Sequence, residues 1–419
     1  MDTNLTSDLA APPATSGEDL FRVEGVFSGL AAPIPGGDIT RWILAEGPHI
    51  DNEVELFDEL CWRLVGDGIP LWRANLHIGT LHPQIRGFGA RWWRERKITE
   101  EYRVLHGSRA TEEYRKSPIR ATIERGARFR RRLAGGDGEY PLLAKIYDAG
   151  GRDYFALPLN RTLQNYPVVS WTTDRPQGFE AAEIAALEEI NPALAAIVET
   201  RAVRHIGANL IDTYLGPLVG KRVLAGQVRR GQGDRLPAAV MITDLRGFTG
   251  LSDRLPGESV IALLDDYFDA VVSPVQERHG EVLKFIGDGV LALFPAEDDR
   301  DFAAATARAL NAAIETLSRI EAVNRVRRES DQSEFRAGIG LHFGEVIFGN
   351  VGALDRLDFT VVGPAVNLAS RIEGLTKRLL RPLLTSRAFA RICPHRLISL
   401  GFHPVRGLNQ PEEVFGLPE

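Results

Sequence analysis

The stretch from Ala238 to Pro295 constrains the fold of this chain more than any other. Ala238 to Thr243 is a short apolar run with Asp244 at its end. Leu283 to Ile286 leads into Gly287-Asp288-Gly289, after which Val290 to Phe294 is apolar again. An aspartate between glycines, flanked by apolar runs, is a hairpin signal, because glycine supplies the positive φ of a tight turn. If the two strands lie side by side, Asp244 and Asp288 present two carboxylates at one edge of a sheet. Paired carboxylates repel unless a positive charge sits between them. A divalent magnesium ion, with oxygen ligands and retained waters, suits such a place. Taken singly, either aspartate is as well explained as a cap or a turn residue.

Between the two aspartates, Val260, Leu263, Leu264, Tyr267, Phe268, Val271 and Val275 recur at spacings of three and four. That period predicts an amphipathic helix over Glu258 to His279, stopped by Gly280, with Phe268 in the core. Directly after Asp244, Arg246, Gly247, Phe248 and Thr249 open another helix, where a glycine lets backbone N–H groups approach a phosphate. Downstream, Asp301 to Arg328 reads as a long helix. Phe335 to Phe343 and Glu345 to Val351 read as a hairpin around Gly344, and Asp358 to Val362 as a strand. Gly363-Pro364 begins a helix, with proline at a tolerated first-turn position. Asn367 and Arg371, four apart, share one face of it. Leu383 to Thr385, Arg396 to Phe402 and Glu412 to Gly416 are smaller closing elements.

A chain of 419 residues is long enough for two or three domains. The net charge of -6 gives no global case for a nucleic-acid partner. Only Cys61 and Cys393 are present, which excludes a disulfide framework and suits a reducing cytoplasm. The most apolar long run, Ala181 to Val198, is interrupted by Glu183, Glu188, Glu189, Asn191 and Pro192, so no transmembrane segment is expected. The N-terminus lacks the pattern of a signal peptide, and residues 1–19 read as a disordered tail.

Residues 20–200 alternate between helix and strand. Val54 to Leu64 has helical spacing. Leu71 to Leu81, Tyr154 to Leu159 and Tyr166 to Thr172 read as strands, and a helix follows from about Glu180 to His205. His77, His82 and His106 lack partners at metal spacing and are expected to be structural, as are Trp92, Trp93 and the two cysteines. The run Arg128, Arg130, Arg131, Arg132 reads as a solvated helix face. Leu187, Ile190, Leu194 and Ile197 fit either a seam between two parallel helices or a helix packed on its own domain. Residues 201–235 read as a helical connector. The paired strands, the turn before Gly178-Phe179 and the long exit helix resemble a GAF-type sensor domain, a PAS-like fold being the alternative. That resemblance implies an unknown small-molecule or protein regulator.

Asp244 in ITDLRGFT, Lys284 and Asp288 in LKFIGDGVLALF, and Asn367 and Arg371 in VVGPAVNLASRIE together resemble the class III nucleotidyl cyclase family over residues 236–419. The resemblance implies an α+β, ferredoxin-like catalytic domain with an antiparallel-rich sheet and flanking helices. It implies that Asp244 and Asp288, with the backbone carbonyl of Leu245, bind two magnesium or manganese ions per active site. It gives Asn367 the ribose, Arg371 the transition state at the α-phosphate, and Lys284 with Thr360 the base. Phe248 and Thr249 would lie along the substrate, and Arg406 stands near where many members carry a phosphate-binding lysine. A lysine donor and a threonine hydroxyl suit adenine better than guanine, so the expected substrate is ATP. The family pattern further implies a homodimer with two symmetric sites. Rival readings are a guanylyl cyclase, a pyrimidine nucleotide cyclase and a catalytically silent scaffold.

Overall fold

A computed structural model describes residues 21–29, 32–35, 37–106, 112–135, 138–159, 167–407 and 409–418. The tail expected at residues 1–19 lies outside them. The chain forms two compact units, Met1–Leu210 and Ile211–Glu419.

The first unit starts with β1 (Phe21–Phe27), α1 (Ile39–Ala45) and α2 (Glu53–Gly66). The strands β2 (Arg73–Gly79), β3 (Ile85–Trp93) and β4 (Ile98–Leu105) follow as a meander. Then come α3 (Glu112–Arg115), α4 (Pro118–Arg125), β5 (Phe129–Arg132), α5 (Pro141–Asp148), β6 (Asp153–Pro158) and β7 (Val168–Thr173). The exit helix α6 runs over Ala181–Leu215. The sheet order is β1-β4-β3-β2-β7-β6-β5, antiparallel at every pairing described. Alternation divides its two faces. Ala74, Leu76, Ile78, Ala90, Trp92, Phe155, Val169 and Trp171 form an apolar core with residues of α2 and α6. The opposite face carries Tyr154, Ala156 and Val168 in a smaller cluster with α4 and α5.

Several expectations change here. The arginine run is a strand, not a helix face. Arg130 donates to Asp153 and to the Phe179 carbonyl, and Arg132 donates to the Gln177 carbonyl, so the run clamps the turn before α6. Leu187, Ile190 and Leu194 are buried in their own unit's core, and Ile197 packs against it, which leaves no free seam on that stripe. The exit helix runs through position 201, where the connector is expected to begin. It continues to Leu215, and the boundary between units falls inside it. His82 Nδ1 accepts from the Gln84 amide, and His106 Nε2 meets the His82 carbonyl, so these two brace a turn.

The second unit comprises α7 (Pro217–Leu224), β8 (Gly233–Leu245), α8 (Phe248–Ser252), α9 (Gly257–Glu277), β9 (Glu281–Ile286), β10 (Gly289–Pro295) and α10 (Phe302–Glu329). It continues with β11 (Ala337–Gly352), β12 (Leu357–Val362), α11 (Pro364–Leu379), β13 (Leu383–Ser386), α12 (Arg387–Ile392), β14 (Ile398–His403) and β15 (Glu412–Gly416). Its sheet order is β14-β15-β13-β11-β8-β10-β9, with β12 paired to β11. Only β11 with β13 is parallel among the described pairings. Ala239, Met241 and Leu245 of β8 face the core shared with α9 and α10. Ala238 and Val240 face α7 and α11.

Gly344 does not turn the chain. β8 pairs with β11 from Ala337 to Gly349, and an uninterrupted partner of that length holds β11 straight. The hairpin lies one step later, between β11 and β12. Tyr267, not Phe268, is the fully buried ring of α9. Its hydroxyl is hydrogen-bonded to Thr243. Phe268 is half-buried and packs on Phe285, with centroids 4.3 Å apart. The helix ends at Glu277, and the left-handed residue after it is His279 at φ 55°. Gly280 is needed for packing, since a Cβ there would lie 2.5 Å from the Phe294 ring.

Candidate active site

Asp244 continues the even-numbered series of β8, so its side chain emerges on the α11 side of the sheet. Its neighbours across both ladders are glycines, Gly289 on β10 and Gly338 on β11. A Cβ on Gly289 would come within 3.5 Å of Asp244 Oδ1, so the carboxylate leans over that backbone. Asp288 occupies the β9–β10 turn beside it, where Gly287 takes φ +63°. Burial raises the Asp288 pKa, and the Asp244 charge, together with a hydrogen bond that protonated Asp288 donates to that carboxylate, adds to the rise. The hairpin and the strand therefore do what their spacing predicted: they bring two carboxylates into electrostatic contact at one sheet edge.

Two further charged groups at this edge escape a reading of motifs. Lys377, in the last turns of α11, places Nζ 3.1 Å from Asp244 Oδ2. Glu373, one turn earlier and only 6% exposed, has its pKa raised by burial and then by Asp244. The two are spaced i, i+4 and share one helix face. The helix reaches them because β11 has no side chains in its way. A Cβ on Gly338 would lie 2.3 Å from Thr376 Oγ1, and one on Gly340 would lie 2.5 Å from the Ala369 carbonyl oxygen.

A like-charged carboxylate pair with an ammonium already seated against it has the donor set of an oxygen-ligated divalent ion. No cluster of three His, Cys, Asp or Glu side chains poised for a metal forms among the described residues. Such an ion would thus take its remaining ligands from backbone, water or substrate oxygens. Leu245 is buried as a side chain and paired opposite Ala337, which leaves its role to its backbone.

Asn367 and Arg371 lie on the N-terminal half of α11. Asn367 is exposed and Arg371 half-buried. At about 1.5 Å per residue they stand about 15 Å and about 9 Å along the axis from Lys377. Among the described residues, no hydrogen bond or ion pair joins either to Asp244 or Asp288. Arg371 instead lies against the β14–β15 loop, its Nη2 3.1 Å from where a Cβ of Gly407 would be. Arg406, exposed, is the residue before Gly407 in that loop.

Lys284 reaches across from β9 to β12, where Nζ is 2.5 Å from Asp358 Oδ2. Asp358 stands two residues before Thr360, on the same side of the strand. Thr360 is 6% exposed, and its hydroxyl has no hydrogen-bond partner among the described residues. Period-two reading of β12 contains the signal for Asp358. Phe248 packs partly against the α9–α10 core, and Thr249 is exposed.

Residues 234–380 match the model of the adenylate and guanylate cyclase catalytic domain. The chain is 35% identical over 178 residues to adenylate cyclase 1 of Rhizobium meliloti, covering 42% of this chain and 26% of that one. It is 35% identical over 161 residues to the adenylate cyclase of Anabaena cylindrica, covering 37% and 31%. Among solved structures, the adenylyl cyclase CyaB from P. aeruginosa is 25% identical, with 44% of this chain and 94% of that one covered and a TM-score of 0.41. The chain spans 26% to 41% of the length of the curated relatives it matches. No helix among the described residues is long and apolar enough to cross a membrane. The C-terminal unit of this chain carries a class III adenylyl/guanylyl cyclase catalytic domain.

Proposed function

We propose that the chain is a cytoplasmic adenylyl cyclase that converts ATP to 3′,5′-cyclic AMP and pyrophosphate as a homodimer, under control of its N-terminal unit read as a GAF-like sensor. The observation that carries the substrate is the Lys284 ammonium, held by Asp358 beside the unpartnered hydroxyl of Thr360. An ammonium donor and a hydroxyl match the acceptor and the amino group on the adenine edge. The relatives named as adenylate cyclases favour the same base.

In the reaction the ribose 3′-oxygen attacks the α-phosphorus, the bond from that phosphorus to the bridging oxygen breaks, and the 3′-hydroxyl proton is lost. Two magnesium or manganese ions, when bound, lower the pKa of the attacking hydroxyl and offset charge on the leaving pyrophosphate. Asp244, Asp288 and the Leu245 carbonyl would hold them. Arg371 offsets charge gathering on the α-phosphoryl oxygens, Asn367 orients the ribose, and Arg406 adds positive charge for the phosphates. Phe248 and Thr249 line the approach after Asp244.

The placement of Asn367 and Arg371 about three and about two turns along α11 from the carboxylate edge supports a site completed by a second copy. The exposed apolar side chains Ile347, Val351, Leu357 and Val362 on the β11–β12 hairpin offer that copy a surface. Asp244→Ala and Arg371→Ala chains should each be inactive, and an equimolar mixture should recover turnover through one intact hybrid site. No recovery would overturn the shared site. ATP, GTP, CTP and UTP supplied in parallel with magnesium or manganese should yield mainly cyclic AMP, and dominance of another product would overturn the substrate.

A further inference from the structure

Arg73 stands at the start of β2, near the middle of the N-terminal sheet, and is only 7% exposed. Its guanidinium stacks on the Trp93 ring, 5.1 Å from the centroid. Among the described residues it makes no hydrogen bond and no ion pair. The contrast is Arg327 in the other unit, 5% exposed, which donates to the Ser333 carbonyl and pairs with Asp266. An arginine taken out of water with no hydrogen bond or ion pair of its own weakens a fold. A methionine of similar volume would pack the same place without that penalty.

The surroundings extend the same chemistry. Arg73 is opposite Thr172 on one side and Trp93 on the other, and Asn75 is opposite Ser170 and Arg91. Residues paired across antiparallel strands share a face, so these groups form two adjacent polar rows on the face that α4 and α5 partly cover. Arg91 brings a second guanidinium. Its Nη1 is 3.4 Å from Glu100, while its Nε is buried without a partner. The Thr172 hydroxyl is likewise buried and unpartnered. Glu100 is already shared with the Trp93 indole and, at 3.9 Å, with Arg96. Two guanidiniums and one carboxylate leave one positive charge over. His77, next along the face, adds none at neutral pH, because burial pushes its pKa down to about 4. Burial, reinforced by the Arg91 charge, also pushes the Arg73 pKa down to about 10.

We propose that this face of the N-terminal sheet binds a small organic anion through a carboxylate or phosphate group held by Arg73 and Arg91. Planar forked donors match the oxygens of either group in pairs. Trp93 and Tyr154, on the Arg73 row, and Tyr102, on the neighbouring His77 row, give the organic body aromatic walls. The site adds a ligand class to the sensor role proposed above, and its binding can be read without any turnover.

The test uses the full chain and its melting temperature with benzoate as the carboxylate probe, phenyl phosphate as the phosphate probe and benzyl alcohol as the neutral counterpart. One of the two anions should give a saturable rise of about 2–4 °C, and the alcohol none. Arg73→Met should melt no lower than the parent without anion and should lose the rise. Arg73→Lys, which keeps the charge but not the fork, should bind at least about tenfold more weakly. The proposal is overturned by no saturable rise with either anion, by an equal rise in Arg73→Met, or by an Arg73→Met chain that melts well below the parent without ligand. Turnover of ATP measured on the same preparations separates this proposal from the cyclase reading. Full turnover without an anion response removes only the site, and an anion response without turnover removes only the cyclase.

Discussion

The two sheets of this protein place their charges in opposite ways. The catalytic sheet has an apolar centre, with Ala238 to Met241 and Leu291 to Phe294 all buried, and carries Asp244 and Asp288 at its edge. The N-terminal sheet lays Arg73, Asn75 and Arg91 across the middle of one face. A charge at an edge keeps much of its water, so a side chain such as Lys377, or a dissolved cation, can neutralise it and leave again. A charge in mid-sheet has lost its water and needs a fitted counterpart. The edge therefore suits a site that must exchange ions and substrate at each turnover. The mid-sheet position suits a site that holds one ligand long enough to report it.

If the strength of the catalytic sheet lies in its apolar centre, Tyr267→Ala is the most damaging of the changes considered. It should cost about 3–5 kcal/mol, the range for removing a fully buried large ring, read as a lowered denaturation midpoint. A cost under about 1 kcal/mol would mean that the edge carries more of the stability than the centre. Next comes Arg371→Ala, expected to lower turnover by about 10²–10³ while leaving the melting temperature within about a degree or two, since its group works at the surface of α11. Near-normal turnover would remove Arg371 from the chemistry.

The edge pair should be a liability for the fold when no divalent ion is present. Because the native pKa of Asp288 is raised, the folded chain binds that proton more tightly than the unfolded chain. Stability tied to this group is thus lost as pH rises through its native pKa. Asp288→Asn removes that loss and should stabilise the chain at neutral pH by up to about 1 kcal/mol, while abolishing cyclic product. Destabilisation by this change would show that the two carboxylates do not oppose each other. The smallest effect concerns His205, whose pKa is raised first by its hydrogen bond to Glu53, at 3.0 Å. Its contribution is fully present below the ordinary histidine value of 6.5 and is lost as pH rises through the raised one. A melting-temperature profile over that interval should show a shallow decline in the parent and a flatter one in Glu53→Gln.

Local signals carried the catalytic edge a long way. The Gly287-Asp288-Gly289 turn, the apolar stripe of α9 and the Gly363-Pro364 helix start each depend on neighbours in sequence, and each formed where its spacing indicated. The misreadings came where a distant partner decided the outcome. Gly344 has the look of a turn residue, but the long pairing with β8 keeps it in a strand. Phe268 and Tyr267 are adjacent on one helix, and partners distant in sequence, Phe335 and Thr243 among them, enclose the Tyr267 ring. Lys377 meets Asp244 from 133 positions away, a pairing no window along the chain can contain. Arg73, Asn75 and His77 alternate along β2, but the cover on their face comes from α4 and α5, more than forty positions later.

The glycines of β11 have a consequence for anyone altering this protein. With Gly338 and Gly340 bare, α11 rests on backbone, and its height above the sheet is set by atoms that no substitution elsewhere can shorten. The helix therefore acts as a ruler, with Lys377 at its zero mark on Asp244 and Arg371 and Asn367 as graduations at fixed distances. If Lys284 on β9 and Thr360 on β12 read the base as proposed, base preference can be recut without touching that ruler. Bulk added at either glycine would lift it and misplace every mark at once.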